Sequence, residues 1–323
     1  MRAAVARTYG APETLRIEAL PDPTPGPGEV RVRVRAAAVN FPDLLVLANS
    51  YQVSAPLPFT PGSELAGEVT ACAPGVETLA PGDRVYGALL VGAFAEAAVL
   101  PERALSRIPD GVDFAAAAAF GVAYTTAWGA LASAAALQPG ETVLVLGAAG
   151  GVGLAAIEVA RALGAEVVAA ASSEAKRAVC FEKGAAHAID AAPHSLRDAV
   201  RSVAAKGVDV VIDPVGGAAT EPALRSLAHG GRHVVVGFAA GEIPRIPTNR
   251  LLLRNARLVG FELGGWQRHH PEVAKAGRAT LEGWLAEGRI APHVGARYPL
   301  ARCAEALRLV AERRAVGKVL IEP

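Results

Sequence analysis

Residues 142–176 read TVLVLGAAGGVGLAAIEVARALGAEVVAAASSEAK, and this stretch decides the fold. Thr142-Val143-Leu144-Val145-Leu146 is a short apolar run rich in β-branched residues, as a strand buried on both faces requires. A glycine turn follows, Gly147-Ala148-Ala149-Gly150-Gly151-Val152-Gly153. Leu154, Ile157, Val159 and Leu163 then recur near helical spacing up to Gly164, a good C-terminal stop. Val167-Val168-Ala169-Ala170-Ala171 reads as the next strand. Strand, glycine turn, helix and strand make the first βαβ unit of a dinucleotide-binding sheet.

The glycines have a physical reason. The first turn of a helix presents unpaired N–H groups and a partial positive charge, which suit a diphosphate. Gly147 and Gly150 let the backbone turn tightly and approach the anion, and Gly153 lets the helix lie close on the strand. Gly150, Gly151 and Val152 are the candidate donors. A tight turn in another kind of α/β protein is the competing reading, and the flanking strand and helix argue for the nucleotide. NAD sites place an Asp or Glu about 20 residues on, against the ribose 2′-hydroxyl. Here the second strand ends Ala170-Ala171-Ser172-Ser173, with Lys176 and Arg177 just beyond and only Glu174 as a nearby carboxylate. Two hydroxyls and two cations suit a 2′-phosphate, so NADPH is the expected cofactor. The alternative is that Lys176 and Arg177 are solvated charges on the next helix.

The chain of 323 residues is long enough for two domains with real cores, and its 52% apolar and 20% charged residues exclude a disordered chain. A formal net charge of +1 gives no general pull toward nucleic acid or an anionic membrane. The N-terminus MRAAVARTYGAPETLRIEAL has charges and a turn where a signal peptide needs an apolar core. No uninterrupted apolar run approaches the length needed to span a bilayer; residues 114–136 are alanine-rich but broken by glycines and polar residues. A cytoplasmic location is the expectation. Cys72, Cys180 and Cys303 form no CxxC or Cys/His cluster, so neither a disulfide framework nor structural zinc is expected. The scarcity of Met, Asn and Gln fits a thermophile and a GC-rich genome equally.

Residues 1–121 have a β texture. Residues 29–38 alternate Val30, Val32 and Val34 against Arg31, Arg33 and Arg35, a half-solvated strand. Further short strands at 65–71, 84–90 and 94–100, separated by Pro-Gly and similar turns, suggest a barrel-like antiparallel unit. From 122 the rhythm is α/β. A helix at 122–137 leads into the strand at 142, and later strands are expected at 187–189, 208–212, 232–237 and 258–263. These complete a six-stranded doubly wound sheet. The expected domains are 1–121, completed by 264–323, and a nucleotide-binding domain at 122–263.

Several strings together carry a family resemblance: Ala38-Val39-Asn40-Phe41-Pro42-Asp43, the run from Leu57 to Gly67 (LPFTPGSELAG), Tyr124-Thr125-Thr126-Ala127-Trp128, the glycine turn, and Gly317-Lys318-Val319. With the order of parts, they resemble the medium-chain dehydrogenase/reductase superfamily, and within it the zinc-free quinone oxidoreductase branch of zeta-crystallin-like proteins. The resemblance implies an α/β protein with an N-terminal GroES-like, barrel-type catalytic domain and a Rossmann domain. Zinc alcohol dehydrogenases of the superfamily carry a Cys where Asn40 stands and a His where Ser63 stands, with a third metal-binding Cys near Val122. Glu64 alone cannot supply the three or four ligands zinc needs, so no metal is expected.

Without a metal to polarise an alcohol, the chemistry that remains is hydride delivery to an acceptor that is already electrophilic. The resemblance implies an NADPH-dependent quinone reductase. The alternative is an NADPH-dependent reductase of enones or enoyl thioesters, and a third, of another class, is a cofactor-binding structural or RNA-binding protein. By resemblance Asn40 is a substrate-side polar residue, Asp43 is structural, and Tyr51 matches the tyrosine that related enoyl-thioester reductases use as a proton donor; the alternative is a packed tyrosine with a wet hydroxyl. Thr126 is the expected neighbour of the nicotinamide amide, with helix N-capping as the rival role. Gly237, Phe238, Asn249 and Lys318 are further expected cofactor contacts, Lys318 through a phosphate. Ala191 stands where relatives often carry a nucleotide-contacting tyrosine, and His187 and His194 read as surface residues. The resemblance also implies a homodimer, paired through the last strand of the nucleotide sheet.

Overall fold

The structure is a computed structural model describing all 323 residues, Met1–Pro323. The chain forms two compact units. One comprises Met1–Val122 and Pro292–Pro323, and the other Ala123–Ala291.

The first unit is built on the strand Glu29–Val39, which is long enough to serve three neighbours. It pairs antiparallel with Glu64–Cys72, Ala97–Pro101 and Lys318–Glu322. The sheet runs on through Arg84–Ala88 to Leu105–Arg107 on one side and to Val294–Pro299 on the other. The alternation read from the sequence holds in the first half of the strand. Val30, Val32 and Val34 are buried in the core, while Arg33 and Arg35 pair with Glu68 across the ladder. From Ala36 to Val39 every residue is buried; the pairing shifts register between Val34 and Ala36, and beyond it Ala37 and Val39 join the core. The expected half-solvated strand is therefore half-solvated only as far as Arg35.

In the second unit six parallel strands lie in the order His187–Asp190, Glu166–Ala171, Thr142–Val145, Val208–Asp213, Leu227–Val235, Arg257–Gly260. This is the doubly wound dinucleotide-binding order, with the direction of winding reversing between Thr142–Val145 and Val208–Asp213. The glycine turn and the segment after Asp213 leave the carboxyl ends of those two adjacent strands.

Three expectations are corrected. The helix expected at 122–137 begins at Phe114 and runs to Trp128, continuing as a wider π-helical turn over Gly129–Ala134. Asp113 starts it by accepting the Ala116 N–H at 2.7 Å. This 21-residue stretch, Phe114–Ala134, is long and apolar enough by composition to cross a membrane, and most of it is buried inside the protein. The last strand stops at Gly260 rather than 263, because Glu262 caps a new helix, Leu263–His269, by accepting the Gly264 and Gly265 N–H groups. Residues 264–291 also belong to the second unit, and the chain returns to the first only at Pro292. The helix Pro271–Ala286 is held there by Trp284 edge-on to Trp128, with ring centroids 5.5 Å apart, and Trp266 Nε1 donates to Ser133 Oγ at 3.0 Å.

Candidate functional site

In the second unit, the backbone at Gly147 takes a left-handed φ of +56°, open to glycine at little cost. The helix Gly151–Ala162 begins after Gly150 with no side chain capping it. Its first internal bond is from Leu154 N–H to Gly150 O at 2.9 Å. The N–H groups of Gly151, Val152 and Gly153 precede that bond and lie at the positive end of the helix dipole. A Cβ on Gly153 would lie 2.4 Å from Gly147 O and 2.6 Å from Ala148 O, so only glycine lets the helix seat this closely on the turn. An uncapped helix start beside a glycine turn at the switch point fits a diphosphate.

The adjacent strand Glu166–Ala171 ends without a carboxylate. Ser172 and Ser173 are exposed, and Ser173 caps the helix Glu174–Glu182 by accepting the Lys176 N–H at 3.3 Å. Lys176 is half-buried, and Arg177 Nη1 donates back to Ala171 O at 3.2 Å. Hydroxyls, cations and a helix start are the donors that a phosphate monoester takes.

On the other side of the switch point, a buried group organises the segment 214–217. Asp213 Oδ1 accepts the Val215 and Gly216 N–H groups at 2.9 and 2.8 Å. Its Oδ2 accepts the Thr220 hydroxyl at 2.7 Å and lies 3.0 Å from His233 Nε2. Burial pushes this carboxyl up, but the bonds from His233, Gly216 and Thr220 outweigh it and hold Asp213 below the usual carboxylate range. Gly237 N–H donates to Asp213 O at 3.3 Å, and Phe238 lies against Gly216, where a Cβ would be 2.8 Å from the ring. Asp213 thus fixes segment 214–217 through its carboxylate and the segment carrying Gly237 and Phe238 through its main-chain carbonyl. Sequence reading singled out Gly237 and Phe238 but not His233, which follows Arg232 in the strand Leu227–Val235.

In the first unit, three strand ends converge: Val39 leads to Asn40, Glu64 opens one strand, and Lys318 opens another. Lys318 Nζ donates to Glu64 Oε2 at 2.9 Å and to Asn40 Oδ1 at 2.6 Å. Asn40 Nδ2 points to Glu64 Oε2 at 3.2 Å and to Ser63 Oγ at 3.3 Å, and Glu64 Oε1 accepts the Val122 N–H at 2.6 Å. Asp43 is buried beside them and accepts the Asn40 N–H at 2.7 Å. Desolvation pushes its carboxyl up to about 6, against the opposing pull of Ser63, the Asn40 N–H and Lys318. No three His, Cys, Asp or Glu side chains gather as metal ligands.

Of the residues singled out from sequence, the structure brings Asn40 and Lys318 together. Lys318, expected to contact the cofactor through a phosphate, has its ammonium buried and bonded to Glu64 and Asn40. Tyr51 is half-buried against the first unit's core, just past the helix Phe41–Leu47. Thr126 is buried in the last turn of Phe114–Trp128, which removes the N-capping role. Asn249 is exposed at the start of the four-residue helix Asn249–Leu252. His187 is partly exposed and pairs with Glu166 at 3.3 Å.

Two family profiles match the chain: an alcohol dehydrogenase GroES-like domain over residues 26–110 and a zinc-binding dehydrogenase over residues 151–277. Mouse quinone oxidoreductase-like protein 2 is 42% identical over 285 residues, 88% of this chain and 81% of that protein. Human quinone oxidoreductase is 32% identical over 327 residues, 99% of this chain and 97% of that protein. Among solved structures, the quinone oxidoreductase from Thermus thermophilus, also solved in complex with NADPH, superposes with a TM-score of 0.87. It is 35% identical, and the match covers 100% of both chains.

Proposed function

The chain belongs to the zinc-free quinone oxidoreductase branch of the medium-chain dehydrogenase/reductase superfamily, and from that premise we propose that it reduces quinones with NADPH and without a metal. The observation that carries the proposal is the contact between Asn40 and Ser63. In the superfamily's zinc alcohol dehydrogenases these positions hold a thiolate and an imidazole. Here an amide and a hydroxyl meet, with the Lys318 ammonium bonded to the same amide. A cation is already in place, and the surrounding donors are wrong for zinc.

The chain is an NADPH-dependent oxidoreductase. When bound, NADPH supplies a hydride, and the quinone takes up its proton from water, so no dedicated side-chain acid is required. The residues of the chain bind and orient. Gly150, whose own N–H donates to Gly147 O at 2.9 Å, brings the turn close to the diphosphate, and the N–H groups of Gly151 and Val152 receive it. Ser172, Ser173 and Lys176 receive the 2′-phosphate. Thr126, Gly237, Phe238 and Asn249 position the nucleotide, with Asp213 holding the loops that carry two of them. Asn40 and Tyr51 of the first unit face the acceptor, and Lys318 and Glu64 hold the Asn40 amide in one orientation.

We also propose a homodimer paired through Arg257–Gly260. This strand is the free edge of the parallel sheet and presents Leu258 41% exposed, with Leu252 and Leu253 nearby in sequence at 75% and 73%. An apolar edge of this kind is a pairing site. Light scattering returning the 33.0 kDa mass of one chain would remove the dimer. The enzymatic proposal is tested by following NADPH and NADH oxidation with p-benzoquinone after dialysis against a chelator. Full activity with NADPH and little with NADH is expected. Activity that vanishes on chelation and returns with zinc would refute it.

A further inference from the structure

Four arginines of the second unit stand together without a counter-charge. Arg197 and Arg201 are one turn apart on the helix Leu196–Val203. That helix shares a core with the helix Thr220–Arg225, through Leu196, Val200, Ala223 and Leu224, and Leu251 and Ala256 join the same cluster. Arg225 ends the second helix, and Arg254 Nη1 donates to Leu227 O at 2.8 Å, two residues further on.

All four side chains are half-buried. Arg201 Nη1 donates to Ala205 O at 2.8 Å, and the Nε atoms of Arg197 and Arg201 are buried with no partner. A guanidinium has five donors, so most of the donors in this group are unspent. Two carboxylates lie on the same elements. Asp198 is exposed and outside ion-pair distance, and Glu221 is engaged by Arg250 at 3.3 Å. Arg254 is held below the usual guanidinium range, first by its burial and then by the charges of Arg201, Arg197 and Arg225. Half-buried like charges in mutual repulsion are stabilised by an anion that accepts several N–H bonds at once.

We propose that Arg197, Arg201, Arg225 and Arg254 form a binding site for a phosphate or pyrophosphate group, separate from the NADPH site. Topology supplies the separation. The strands of the sheet are parallel, and the glycine turn leaves the carboxyl end of Thr142–Val145. Arg225 and Arg254 lie at the amino end of Leu227–Val235, the opposite edge of the same sheet. One bound nucleotide therefore does not serve both places. Planar guanidiniums with free forked donors select a tetrahedral, multiply charged oxyanion over chloride.

The test uses protein saturated with NADPH, so that the nucleotide site is already filled. Thermal unfolding and calorimetric titration are followed with pyrophosphate, against potassium chloride at equal ionic strength. Saturable stabilisation by pyrophosphate beyond that of chloride is expected. Arg197→Gln with Arg225→Gln should weaken pyrophosphate at least about tenfold, with the KM for NADPH unchanged. Arg225→Glu is the second variant. It places a carboxylate among the remaining arginines, so it should raise the melting temperature without added anion and abolish the pyrophosphate response. The proposal is overturned if pyrophosphate acts no differently from chloride, or if its effect survives both variants. A short RNA that binds the same arginines more tightly than pyrophosphate would overturn the small-ligand assignment.

Discussion

Lys318 and Glu64 form a buried ion pair at 2.9 Å, although 254 residues separate them in the chain. The pair closes the end of the first unit's sheet and fixes Asn40 between them. Removing one partner leaves the other charge uncompensated in a dry site, which costs about 3–5 kcal/mol. Lys318→Met should therefore destabilise the protein by about that amount in denaturant unfolding, and Lys318→Met with Glu64→Gln by clearly less. Quinone turnover should fall in the single variant because Asn40 loses its anchor, while the KM for NADPH stays near that of the parent. A large rise in that KM would point instead to Lys318 contacting the cofactor, as the resemblance implies.

Asp43 predicts a pH dependence of stability. Its carboxyl is raised from an ordinary 3.8 to about 6, so the folded protein binds this proton more tightly than the unfolded chain does. The stabilisation is fully present below about pH 4, is lost as pH rises to about 6, and is flat above that. The span corresponds to about 3 kcal/mol. Denaturant unfolding of the parent and of Asp43→Asn across pH 4–7 checks it. The difference between the two should change over that window, and parallel curves would contradict the assignment.

Lys176→Ala should raise the KM for NADPH about tenfold and leave the KM for NADH unchanged, since one charge-assisted bond to the 2′-phosphate is removed. Ser173→Ala adds a second, separable effect, because its hydroxyl caps the helix Glu174–Glu182. About 1 kcal/mol of stability should go with it. Steady-state kinetics with both nucleotides, alongside thermal unfolding, distinguish the two roles.

The glycine turn and the strands around it were legible because period and punctuation are local properties. Residues 142–171 carry apolar runs, glycines and a stop signal in one short span. The helix start at Phe114 was not legible, because Ala115–Ala119 fill every position with the same residue and leave no apolar face to read. Phe261-Glu262-Leu263 continues the apolar alternation of a strand, and only the reach of Glu262 to the next two N–H groups shows that a helix begins. The Lys318–Glu64–Asn40 group was invisible for another reason. It depends on which strands pair, and register between distant strands is set by packing of the whole sheet rather than by neighbours in sequence. The Asp213–His233 contact has the same origin, since it joins two parallel strands through a crossover.

That contact yields the last prediction. Asp213→Ala strands the Val215 and Gly216 N–H groups, the Thr220 hydroxyl and a ring nitrogen of His233 inside the protein. Each unsatisfied buried group costs about 1–3 kcal/mol. The variant should unfold at markedly lower denaturant and bind NADPH weakly, because the loop carrying Val215 to Gly217 loses its anchor, while Gly237 N–H keeps its bond to the carbonyl of residue 213. Asp213→Asn keeps an acceptor for the two backbone groups, so it should recover part of both losses. The depressed carboxyl also sets a sign with pH. Its contribution is present throughout the neutral range and is lost as pH falls through the folded-state value, below the ordinary carboxylate range. Acid unfolding of the parent should therefore include a component below about pH 4 that Asp213→Asn lacks. If the asparagine variant unfolds in acid with an unchanged profile, the Asp213 carboxylate is not the group that holds this loop.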